Sequence, residues 1–181
     1  MGSLVVRSDA RENRERILAA ARAAFLDDGS TSMNQVAQRA GVGAGTLYRN
    51  FPTREALVFA VYQDEVERIL SAVPELLAEL PPLEALRQWT TGLVDAMRRK
   101  HGLGDALGPA TQQAITEQTY EPVIGAITTL IEAGQRDGTI RADADAGDFL
   151  ALTAALWRAS DERSPRMLAL ILDGLRPESG A

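Results

Sequence analysis

Cysteine is absent from the 181 residues, which excludes disulfides, thiolate chemistry and cysteine-based metal sites. Histidine occurs once, as His101, and without a second histidine or any cysteine it cannot build a typical zinc site. No metal and no cofactor is expected. Aromatics make up only 5%, and Lys100 is the single lysine, so any basic surface has to be built of arginine, whose fork suits phosphates and guanine. No run of about 18 apolar residues is present, so no membrane span and no membrane partner is expected. The opening "MGSLVVRSDA" lacks a basic stretch followed by a long apolar core, which argues against a signal peptide. Val6 stands where a myristoylation signal needs Ser or Thr. These absences point to a cytoplasmic protein.

Catalytic signatures are missing as well. There is no Walker A loop, dinucleotide fingerprint or nucleophile elbow, and nothing in the spacing brings a Ser-His-Asp set together. The stretch "DADAGD" imitates a calcium loop, but Gly147 replaces an oxygen ligand and Ala154 the closing glutamate. No catalytic residue is assigned, and an enzyme is not expected.

What remains is ordinary for a globular protein, with 45% hydrophobic and 24% charged residues. The net charge of −6 is unevenly spread. Met1 to Glu55 holds eight arginines (7, 11, 14, 16, 22, 39, 49, 54) against six acids (9, 12, 15, 27, 28, 55), a net of +2, leaving −8 for the remainder. Only the N-terminal third would tolerate a polyanion. Apolar residues recur with helical period from Arg11 to Leu26, from Met33 to Ala40 after a capping Ser32, and along a long helix after Thr53. Further helices are expected over Leu83 to Lys100, Thr111 to Gln135 with Pro122 as a kink or start, "FLALTAALWRAS" after Asp145, and Arg166 to Leu175. No strand pattern of any weight is present. The fold class is all-α.

The stretch "GVGAGTLYRNFPTREAL" (41–57) carries most of the information. A short helix, a glycine turn and a second short helix form helix-turn-helix grammar, and Gly41 suits a turn that needs positive φ. Val42, Leu47 and Phe51 are expected to pack inward, leaving Thr46, Tyr48, Arg49 and Asn50 outward, where base edges can be read. Small Ala44 and Gly45 would admit DNA closely. Ser32 and Thr53 sit at helix N-termini, which favour an anion.

Those residues, as "SMNQVAQRAGVGAGTLYRNFPTREAL", resemble the DNA-binding domain of the tetracycline-repressor (TetR) family of bacterial regulators, over roughly Arg14 to Leu57. The C-terminal "GQRDGTIRADADAGDFLALTAALWR" is similar, more weakly, to regulatory domains of part of that family. The resemblance implies a homodimeric transcription factor, usually a repressor, released from double-stranded DNA by a small molecule, with a three-helix helix-turn-helix DNA-binding domain over 1–52 and a helical regulatory and dimerisation domain over 53–181. It implies phosphate contacts for Thr46, Tyr48 and Arg54 and base-edge positions for Ala44, Gly45, Arg49 and Asn50. A ligand cavity would draw on Trp89, Leu93, Met97, His101, Gln113, Tyr120, Ile124 and Trp157. The apolar Phe149, Leu152, Leu156, Met167, Leu168, Ile171, Leu172 and Leu175 are expected to meet their symmetry mates in a four-helix dimer interface. Two other readings stay open: a DNA-binding activator or architectural protein without ligand release, and a ligand-sequestering helical protein with no DNA function.

Overall fold

The computed structural model describes residues 2–27, 31–102 and 109–177. Among them lie nine α-helices, one 3₁₀ turn and no strand. None of these helices is long and apolar enough to cross a membrane. The chain divides into two compact units, Met1–Glu65 with Arg99–Ile115, and Val66–Arg98 with Thr116–Ala181.

In the first unit α1 spans Gly2–Asp27, beginning at Gly2 rather than at Arg11 because no proline or internal glycine interrupts the segment. Its Ile17, Ala21 and Ala24 are fully buried, the stripe that the period requires. Helix α2 spans Met33–Ala40, and α3 spans Ala44–Asn50. Ser32 and Gln35 form a reciprocal capping box at the start of α2. Its end is a Schellman motif: Gly41 has φ +65°, its N–H donates to the Gln38 carbonyl, and the Val42 N–H donates to that of Ala37. Phe51 ends α3 in extended conformation, as a residue before proline must. Thr53 then caps α4, Arg54–Ser71, its Oγ1 accepting from the Ala56 N–H at 3.1 Å.

Helix α4 is held by ion pairs on adjacent residues. Arg22 of α1 pairs with Asp64, and Arg99 pairs with the buried Glu65. Near its start, Thr111 donates to the Glu55 carboxylate at 2.6 Å.

The second unit contains α5 (Val73–Glu79), most of α6 (Pro82–Gly102) and of α7 (Pro109–Asp137), then α8 (Ala146–Thr153), a 3₁₀ turn (Leu156–Arg158) and α9 (Arg163–Gly174). Leu86, Ile127, Leu130, Ile140, Phe149 and Leu172 form its fully buried centre. Pro122 neither starts nor ends α7, which runs through it with one ladder bond missing. A second Schellman motif closes α7 at Gly138, φ +77°. There the chain doubles back so closely that a Cβ on Gly134 would lie 2.5 Å from Ile140 Cδ1. Gln135 Nε2 holds the next turn by donating to the carbonyls of Arg141, Ala142 and Ala144. Asp143 in that turn accepts two bonds from Arg141, which hold its pKa below the usual carboxylate value.

The expected single helix over "FLALTAALWRAS" is two pieces. Asp145 caps α8 through the N–H groups of Gly147 and Asp148, but α8 stops at Thr153, whose Oγ1 bonds back to the Phe149 and Leu150 carbonyls. The carbonyl of Ala159 and the carboxylate of Asp161 instead accept from Arg98 of α6, at 3.0 and 2.8 Å. A long-range arginine thereby satisfies a carbonyl beyond the 3₁₀ turn, where no helical N–H reaches it.

Candidate nucleic-acid interface

Helix α3 buries a single residue, Leu47, which is fully covered. Phe51 beside it is buried, and Val42 is half-buried, so the expected inward set is met. The other face is presented outward. Ala44, Gly45, Tyr48 and Arg49 are exposed, Tyr48 by 45% for a large aromatic ring, while Thr46 and Asn50 are half-buried.

The polar side chains of α3 form a local network. Arg49 Nε donates to the Gly45 carbonyl at 3.1 Å and its Nη2 to Thr46 Oγ1 at 3.3 Å. Asn50 Nδ2 donates to the Thr46 carbonyl at 2.9 Å, which turns the amide back along its own helix. Arg49 therefore keeps the more outward of the two side chains. Gly45 is the odd member. A Cβ built there meets nothing within 4 Å, and its φ is not positive, so neither packing nor backbone geometry calls for glycine. Glycine is nonetheless a poor helix former, costing up to about 1 kcal/mol relative to alanine within a helix.

Two contacts that sequence reasoning missed brace this motif. The Arg14 guanidinium of α1 lies 4.7 Å from the Phe51 ring centroid, and that of Arg54 lies 4.8 Å from Phe25. Arg54 Nη1 also donates to the Thr31 carbonyl. The partners are 37 and 29 positions apart, so no local pattern signals them. Ser32 is exposed and engaged in its capping box, and Thr53 is exposed with Oγ1 accepting from Ala56.

The residues expected to line a ligand cavity are differently placed within their own units. Trp89 and Leu93 are buried core, the Trp89 indole N–H donating to the Ile69 carbonyl at 2.9 Å. Ile124 and Trp157 pack half-buried against the same core, with the Arg158 guanidinium 4.5 Å from the Trp157 ring centroid. Met97 is half-buried. Tyr120 does not face the interior: it is 50% exposed, because the buried stripe of α7 in this unit begins only at Val123. Gln113 is exposed and belongs to the other unit. His101 lies outside the described side chains. Among the described residues a cavity of about 170 Å³ lies between α6 and α9, lined by Arg87, Thr91, Val94, Arg98, Ser164 and Leu168 among others, none of which is among the expected eight.

Burial divides the expected dimer set. Phe149, Leu156, Leu168, Leu172 and Leu175 are buried within their own chain. Helix α9 is amphipathic rather than apolar all round: Ser164, Leu168, Leu172 and Leu175 fall on one buried face at helical spacing. Leu152 of α8 and Leu170 of α9 are 59% and 73% exposed, and Met167 and Ile171 are half-buried.

Comparison with known proteins bears on both units. Residues 17–61 match the profile of "Bacterial regulatory proteins, tetR family", and residues 81–177 that of "Transcriptional regulator SbtR-like, C-terminal domain". A crystal structure of a TetR transcriptional regulator from Streptomyces coelicolor is 43% identical, covering 92% of this chain and 99% of that one, with a TM-score of 0.79. A TetR transcription regulatory protein from Mycobacterium vanbaalenii is 36% identical, covering 95% and 99%, with a TM-score of 0.76. An HTH-type transcriptional regulator of Staphylococcus aureus (strain USA300) is 41% identical over 64 residues, 34% of this chain and 35% of that protein. The chain thus matches about a third of the length of the curated relatives.

Proposed function

The chain belongs to the TetR family of DNA-binding transcriptional regulators, and from that premise we propose that it is a homodimeric repressor that reads an inverted-repeat operator and is released by a small molecule. The observation that carries the reading of α3 is its outward face. An exposed tyrosine, an exposed arginine and a glycine that the fold does not require lie together on one short helix. A residue kept small at a cost to helix stability, with open space around it, makes sense if something outside the chain must approach there. The major groove admits such a helix.

In this reading Arg49 supplies the main base contact, its fork matching guanine O6 and N7. The Tyr48 and Thr46 hydroxyls bond phosphates and set the register. Ala44 and Gly45 admit a thymine methyl or the backbone closely. Asn50, turned onto its own helix, reads an adenine or a bridging water only after leaving the Thr46 carbonyl. Ser32 and Thr53 offer helix N-termini to phosphate oxygens.

Two recognition helices about 34–36 Å apart meet successive major-groove faces, which requires a dimer. Leu152 and Leu170, with the neighbouring Met167 and Ile171, supply its surface, since a partner would cover the apolar area that these helices leave exposed. An effector that prefers a conformation with another spacing weakens operator binding, typically 5–150-fold.

Selection of random-sequence duplexes by the purified protein at about 150 mM salt tests the reading. An enriched inverted repeat is expected. Enrichment of nothing, repeated after unfolding and refolding to strip any carried-over ligand, would defeat it.

A further inference from the structure

Arg54 opens α4 where the family resemblance would place a phosphate grip, but its surroundings give it other work. It is half-buried, its guanidinium lies over the Phe25 ring of α1 at 4.8 Å, and its Nη1 donates to the Thr31 carbonyl. Thr31 is itself buried, and its Oγ1 donates to the Ala24 carbonyl of α1 at 3.2 Å. One guanidinium therefore joins the first turn of α4, the last turns of α1 and the residue that precedes the α2 cap. From there the path to the recognition helix is short and stiff. The capping box sets the start of α2, the Schellman motif at Gly41 sets its end, and α3 follows from Ala44. Displacing Thr31 displaces α3.

On these contacts, and resting on the DNA-reading function above, we infer that Arg54 is a positioning residue rather than a phosphate ligand: it holds the start of α2, and through it α3, in the register for base reading. A planar, forked guanidinium is needed for this, since it must lie flat on a ring while an N–H arm reaches a carbonyl. Lysine has the charge and the reach for a phosphate but neither the plane nor the fork.

The two roles separate cleanly in Arg54→Lys, with Arg54→Gln as a companion. Each variant and the wild type are titrated with the selected operator and with a random-sequence duplex over a salt series, well below the melting temperature of each protein. A positioning role predicts that Arg54→Lys binds the operator about tenfold more weakly, the size of a partly lost base contact. Its affinity for the random duplex and its salt slope stay at wild-type values, because the number of phosphates neutralised is unchanged. Wild-type operator affinity in Arg54→Lys would overturn the inference. So would Arg54→Gln weakening both duplexes with a salt slope lower by about 2, the loss of one phosphate contact per half-site. Operator affinity that survives in both variants while only the melting temperature falls overturns it too, since that describes a purely stabilising arginine. A wild-type protein that prefers no duplex refutes the underlying DNA reading and this inference with it.

Discussion

The dimer surface can be tested at one side chain, because Leu170 is the most exposed large apolar residue described in the chain, at 73%. Within the monomer it has little to lose. Full burial of a leucine is worth about 1.5–3 kcal/mol, and some three-quarters of that is still unrealised here, about 1–2 kcal/mol. A two-fold interface uses the residue twice, so about 2–4 kcal/mol of association energy rests on it. Replacing it with aspartate removes that term and sets a carboxylate into an apolar contact. The dissociation constant of the dimer should rise roughly 30- to 1000-fold, taking 1.4 kcal/mol per decade. Sedimentation equilibrium over a protein concentration series measures this directly. Monomer stability should stay within about 0.5 kcal/mol, as for other exposed positions. Leu172→Ala is the counterpart: that side chain is buried in its own unit, so the variant should lose about 2–5 kcal/mol of folding stability. An unchanged dimer constant in Leu170→Asp would refute the assignment of this face, whatever happens at Leu172.

Arg49→Ala should relax the selected consensus at one or two positions per half-site at a cost of about 1–3 kcal/mol, whereas Tyr48→Phe should weaken all sites alike; a shifted consensus for Tyr48→Phe in repeated selection would reverse the two roles. Gly41→Ala meets no neighbour within 4 Å but must hold φ at +65°, so it should lose about 1–2 kcal/mol by denaturant unfolding, and no loss would mean that the turn adopts another geometry. Arg99→Met leaves the Glu65 carboxylate buried without its partner. A fully buried orphan would cost about 3–5 kcal/mol, and because Arg99 is itself one-third exposed about 1–3 kcal/mol is expected. Glu65→Gln added to it should restore much of that loss, and strict additivity of the two changes would show that the pair is not coupled.

Much of the DNA-reading half was legible in the residues themselves. Ser32 with Gln35, Gly41, the step from Phe51 to Pro52, and Thr53 each stop or start a helix by chemistry confined to a few neighbours. The inward Leu47 and the outward Tyr48 follow from the helical period on a short segment that has only one side to bury. The same local reasoning overreached on α9. Met167 to Leu175 reads as apolar on nearly every face, and only the packing of Leu168, Leu172 and Leu175 into their own core separates them from Leu170. The break after Thr153 was hidden as well, since a threonine hydroxyl bonding back to the Phe149 and Leu150 carbonyls occurs inside helices too and does not by itself mark an end.

The division has a physical cause. The caps of α2 and α4, the left-handed turn at Gly41 and the face that α3 can offer depend on interactions across three to five residues, and the sequence by itself determined them. Which arginine holds a carbonyl, which leucine is core and which is surface, and whether eight candidate residues share a cavity depend on partners brought together across dozens of positions. Arg54 states the difference in one residue. Its place in the motif suggests a phosphate, and the tertiary structure sets it on Phe25 and Thr31, because a guanidinium beside a ring and an otherwise buried carbonyl is better satisfied inside the fold than at its edge.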